Sequence, residues 1–188
     1  MAEMTIGGIM RQTIPVLLFV LLVQIGSGLG LGGMEDDFRR LSGLVVMVPP
    51  MLDLRGNISG GLASRLGTAL HGGIIEPRFS LDPELKENLI SAILLTVLMS
   101  VSVGVLAYLV TPLTGATPMP LWMFIGIALI AGLLSSMVTI FLTVAVAFLA
   151  FRRGWDPDNI TSPVMAAISD LLVIWCILLA LIIVEGIA

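Results

Sequence analysis

Long apolar runs broken by short polar links set the architecture of this chain. A spanning helix needs about 20 mostly apolar residues, and the pattern predicts five of them, over 8–31, 40–70, 88–110, 119–151 and 158–184. The run over 14–31 exceeds the 7–15 apolar residues of a signal peptide. It is read as a retained helix, with Pro15 near its start and Gln12 and Gln24 as polar points. Residues 34–37 form a polar link. Between residues 88 and 151 no side chain is charged, and the prolines over 111–120 split this stretch into two helices. The last helix opens on Asp156-Pro157-Asp158-Asn159, an acidic entry with a proline.

The second apolar segment differs from the others. Pro49-Pro50 interrupts it, and Asp53, Arg55, Asn57 and Gly60-Gly61 follow. Two prolines remove two donors from the helical ladder. The pattern therefore predicts a helix broken between about 49 and 57, near mid-membrane. Freed backbone groups are tolerated there only inside protein or along water, so the break is expected to face the bundle interior. Residues 72–87 read as a polar loop with a short interfacial helix from Asp82.

Composition supports a membrane protein. Of 188 residues, 57% are hydrophobic and 12% charged, against about 25% charged in soluble domains. One all-α transmembrane domain over 1–188 is the expectation. A net charge of −4 argues against a nucleic-acid partner, which would want a basic face. Cys176 stands alone and forms no intrachain disulfide. Lys and Arg near the helix ends set orientation. Arg11, Arg78, Lys86, Arg152 and Arg153, with Arg65 near them, fall on one side, and Arg39 and Arg40 on the other. The N-terminus is thus expected in the cytoplasm and the C-terminus outside.

Two carboxylates lie inside apolar spans. Each costs roughly 2.5–3.5 kcal/mol at a helix centre, which marks Asp53 and Asp170 as candidate site residues. At 100° per residue, Asn159 and Asp170 share a face within about 20°, with Pro163, Ala166 and Ala167 between them and Ser162 at its edge. Asn57, Ser64 and Thr68 make a second oxygen-bearing stripe. Carboxylate, amide and hydroxyl oxygens with water are the ligands of hard cations, and Mg²⁺ is held by one or two carboxylates with its waters. For Ser64 and Thr68, close helix packing is the competing reading. Asp53 has Arg55 as a competing structural partner. No Cys/His cluster, nucleotide fingerprint or other enzyme motif is present. His71 reads as an interfacial side chain, the eleven methionines as apolar filling, and Gly26, Gly28 and Gly30 as packing or flexibility.

Two stretches carry a resemblance. PPMLDLRGNISGGLASRLGTAL, residues 49–70, resembles the second helix of the membrane domain of MgtE-type magnesium transporters, above all their eukaryotic solute-carrier relatives. DPDNITSPVMAAISDLL, residues 156–172, is similar to that family's last helix. The resemblance implies a homodimer with the ion path at or near the two-fold axis, and Mg²⁺ selectivity through Asp170. Ser162 stands where bacterial members place an asparagine, a departure from the pattern. Only about seven residues precede helix 1, so the cytosolic Mg²⁺-sensing domains of bacterial members are expected to be missing or supplied by another chain. The eukaryotic relatives hold two membrane domains of this kind in one chain and this chain one, which also favours pairing.

The expectation is a dimeric Mg²⁺ channel or transporter of the cell membrane, not an enzyme. Asp170 would hold the hydrated ion, with Asp53, Asn57, Asn159, Ser162 and Thr68 along its path. The alternative is a Na⁺- or H⁺-coupled divalent cation exporter. An intramembrane aspartyl protease lacks its Tyr-Asp and Gly-x-Gly-Asp contexts here. A non-transporting subunit gives no reason for a buried Asp170.

Overall fold

The structure, a computed structural model, describes residues 6–41, 43–79, 82–155 and 157–187. These form six α-helices and no strand: α1 Ile6–Gly32, α2 Glu35–Arg40, α3 Leu44–His71, α4 Pro83–Val110, α5 Leu121–Arg152 and α6 Pro157–Glu185. A 3₁₀ turn, Thr111–Thr114, follows α4. By length and composition, four helices can cross a membrane, over Thr13–Gly32, Pro83–Thr114, Leu121–Arg152 and Ile160–Glu185. The chain is a multi-pass membrane protein. The fifth long helix, α3, carries Asp53, Arg55 and Arg65 and is less apolar than the other four. Its 28 residues reach about 42 Å at 1.5 Å per residue.

The predicted break in this segment is corrected: α3 is one continuous α-helix with Pro49 and Pro50 inside it. The reason is position. Leu44 is the first helical residue, so both prolines fall in the second turn. Their missing N–H groups free only the carbonyls of Val45 and Val46, one turn from the helix start. Nor do the prolines face the interior, since both are exposed on the single chain. Two smaller expectations also change. The polar link contains the short α2. The segment from Asp82 is not a separate interfacial helix but the start of α4, with Pro83 at its first position.

One end of the bundle gathers α2, the start of α3, the end of α4, the start of α5 and the end of α6. Arg40 pairs with Glu185 there, at 2.7 Å. Gly43 enters α3 at φ 98°, and a side chain on it would collide with Thr111 and the Phe124 ring; glycine satisfies both constraints. At the other end, His71 meets Phe151 edge-on, and the Arg152 guanidinium donates to the Pro77 carbonyl. His71 is exposed on the single chain.

The apolar core falls into two clusters. One holds Met47, Met51, Val103, Phe124, Ala131 and Val173 among others. The second holds Leu62, Leu66, Ala92, Val144 and Phe148. Between them each inner helix turns polar: Arg55 and Ser59 on α3, Thr96 and Ser100 on α4, Ser135, Ser136 and Thr139 on α5, and Ser169 on α6, all buried. The methionines are more than lipid-facing filling, because Met34, Met47, Met51, Met119, Met123 and Met165 are buried. Unbranched and soft, they fill the irregular gaps between helices. Outside this core, α1 lies along α6 and exposes Leu18, Leu21, Leu22 and Leu29. Gly30 permits the contact: a side chain there would come within 2.9 Å of Ile174.

Candidate functional site

Helix α3 meets α6 along a seam of small residues. A methyl group on Gly56 would touch Ala166 at 3.7 Å, and one on Gly60 would lie 3.0 Å from the Ser162 hydroxyl. The buried Ser59 and Ser169 hydroxyls are 3.0 Å apart across it. Residues without bulk let two helix backbones approach. Ser162 therefore belongs to the contact between α3 and α6.

Asp170 sits at one edge of this seam, half-buried, where α1 also arrives. The Gln24 amide Nε2 donates to Asp170 Oδ2 at 2.6 Å. Asp53 occupies the adjoining face of α3 and is exposed on the single chain; Asn57 Nδ2 donates to Asp53 Oδ2 at 2.9 Å. The two carboxylates lie within electrostatic range of each other. An ionised carboxylate only accepts hydrogen bonds, so each amide must present its NH₂ group to it. Each keeps its carbonyl oxygen as an acceptor, and the two pairs form an oxygen-rich set. None of the ion pairs among the described residues involves Asp53 or Asp170.

Arg55 is not the partner of Asp53. Two residues along a helix turn the side chain by about 200°, and Arg55 points to the opposite side. It is 1% exposed. Its Nη1 donates to Thr96 Oγ1 at 3.3 Å, to the Gly132 carbonyl at 3.1 Å and to the Ser136 hydroxyl. The Thr96 hydroxyl also bonds the Ala92 carbonyl at 2.8 Å and lies 2.8 Å from Ser136 Oγ. A further tie, Arg65 Nε to Asn88 Oδ1 at 2.7 Å, holds α3 to α4 nearly three turns on. These bonds fix the rotation of α3, which carries Asp53 and Asn57 away from α4 and α5.

Among the residues singled out from sequence, Asp53, Asn57 and Asp170 come together at the α3–α6 junction. Ser64 and Thr68 are exposed on α3, about 20° and 60° round from Asp53. The side chain of Asn159 lies outside the described residues. Among the described residues no three His, Cys, Asp or Glu side chains converge as a metal-holding group. Sequence reasoning missed Gln24 as the partner of Asp170. A lone amide within an apolar run was the available signal, since such a group needs a polar neighbour. It also missed Arg55 as the buried tie of α3 to α4 and α5.

The fold and this seam define a helical membrane protein with charged side chains placed within its long helices. Residues 48–180 match the model of the MgtE family, described as divalent cation transporters. The chain belongs to that family, and its membrane domain is of the MgtE type. Curated relatives agree. Solute carrier family 41 member 3 of Rattus norvegicus is 29% identical over 178 residues, covering 87% of this chain and 37% of the relative. The same member of Mus musculus is 30% identical over 72% of this chain and 28% of the relative. Solute carrier family 41 member 2 of Homo sapiens is 29% identical over 73% and 24%. The chain thus spans about a third or less of the length of these relatives. No solved structure matches it.

Proposed function

We propose that this chain is the membrane unit of a Mg²⁺ channel or transporter that works as a homodimer, with a hydrated ion held at Asp170. One observation carries the reading. Two carboxylates without a cationic partner among the described residues lie within electrostatic range of each other at a helix seam, each braced by an amide. Intramembrane charges of one sign demand a visiting counterion or water. Two carboxylates fit Mg²⁺ in particular, because that ion keeps most of its waters and takes only one or two direct carboxylate ligands.

The polar stripe of α3 supports pairing. Asp53, Asn57, Ser64 and Thr68 are exposed on the single chain, and lipid is a poor neighbour for them. A second copy covering this face would enclose a water path between two such stripes. In this arrangement α3 crosses the membrane as the fifth span, the N-terminus lies in the cytoplasm, and the C-terminus lies outside. Asp53, Asn57 and Thr68 line the path, Asn159 lies at its cytoplasmic mouth, and Ser162 sets the helix spacing beside it.

The test is Mg²⁺ flux into liposomes holding the full chain. Flux is expected to fall at least tenfold in Asp170→Ala and in Asp170→Asn while both variants keep the folded elution profile. Undiminished flux in both would reject the site. Flux that requires a Na⁺ or H⁺ gradient would instead identify a coupled exporter working through the same carboxylates.

A further inference from the structure

The guanidinium of Arg55 is only half satisfied. Nη1 makes all its bonds, whereas Nε and Nη2 have no partner among the described residues. These two nitrogens form the side-on edge of the fork, the geometry that takes a carboxylate or another planar oxyanion through two parallel N–H bonds. No described carboxylate supplies it, since Asp53 is turned to the far side of α3 and no ion pair reaches Arg55. A second orphan lies close by. The Ser100 hydroxyl is buried and unpartnered. It lies directly over Gly132, where a side chain would collide with it, and the carbonyl of the same glycine accepts from Arg55. A lone positive charge and a lone hydroxyl, both within the polar layer between the two apolar clusters, are costly without a companion.

We infer that the Nε–Nη2 edge of Arg55 seats a small monovalent anion between α3, α4 and α5, with the Ser100 hydroxyl as a further donor. Chloride and a planar oxyanion such as bicarbonate or acetate share the required chemistry: one negative charge, small size and lone pairs that accept from two N–H groups. The anion neutralises the guanidinium within the bundle, on the side of α3 opposite the carboxylates. The site does not involve Asp170 and stands whether or not the cation path is as proposed.

The test uses the purified full chain in detergent at constant ionic strength. Chloride, bicarbonate and acetate are titrated in turn against the bulky anion isethionate, and thermal unfolding is followed. The expected result is a saturable rise in Tm of about 2–4 °C with the anion that fits and none with isethionate. Ser100→Ala should move the midpoint several-fold to higher concentration. Arg55→Lys, which keeps the charge but not the fork, should abolish the response. A Tm that is the same in all four anions means a hydrated edge and overturns the proposal. So does a response that persists in Arg55→Lys, and an unmoved midpoint in Ser100→Ala removes that hydroxyl from the site. Should Arg55→Lys fail to fold, crystals of the native chain grown in bromide decide the matter. Anomalous density at the Nε–Nη2 edge supports the site, and its absence together with a native Tm that is the same in all four anions overturns it.

Discussion

The two sides of α3 handle charge in opposite ways. On the α6 side Asp53 and Asp170 are partly open and each is braced by one amide. On the α4–α5 side Arg55 is sealed among hydroxyls and a carbonyl. The charges are not paired although they are two residues apart in sequence. An internal Asp53–Arg55 bridge would have cancelled both. Separating them by about half a turn leaves the carboxylates without a cationic partner among the described residues and ties the guanidinium to α4 and α5. The lesson is that an intramembrane charge can be structural or functional according to which neighbours the helix rotation gives it.

The largest effect expected from breaking this contrast is on transport. Exchanging Asp170 for Asn should reduce Mg²⁺ flux at least tenfold with Tm nearly unchanged, because the side chain keeps its size and its contact with α1. Arg55→Ala should do the reverse in kind. It deletes most of a buried side chain and leaves Thr96 and Ser136 with a lost donor, which costs roughly 2–4 kcal/mol. That loss should register as a lower Tm in detergent, and an unshifted melt would show that α3 is not held there. At the seam, Gly60→Val should separate α3 from α6, with a loss of about 1–3 kcal/mol and a several-fold drop in flux. Gly56→Ala should be near neutral, since its new methyl would make an ordinary 3.7 Å contact; equal damage from the two would mean the seam is not as drawn. The smallest effect belongs to Ser59 and Ser169. A double-mutant cycle to alanine should return a coupling of about 0.5–1.5 kcal/mol, read from thermal or denaturant melts.

Helix number and limits were largely legible in the sequence. The apolar runs placed every long helix, because the bilayer demands a length that composition reveals directly. The acidic start with Pro157 marked α6. The continuity of α3 was not legible. Pro49-Pro50 signals a break only if it falls mid-helix, and that depends on where Gly43 starts the helix. Asp53 and Asp170 stood out by their energetic cost, and the structure brings them within range of each other. Which groups meet them could not be read. Helical periodicity gives a face, not the neighbour opposite it, so neither the Gln24–Asp170 bond nor the turning away of Arg55 was accessible. The same limit explains the methionines, whose pattern does not distinguish lipid from core.

The docking of α1 on α6 has a consequence for how the chain tolerates truncation. Of the described residues of this helix only Ser27 and Gly30 are buried and it contributes little to the two apolar clusters, yet it delivers Gln24 to the acidic side chain at position 170. Removing the first helix should therefore leave a bundle of α3 to α6 that still assembles in the bilayer. What it strips away is a brace: the Asp170 carboxylate loses its tether to Gln24, so on the proposed reading the lesion should show in Mg²⁺ flux before it shows in folding.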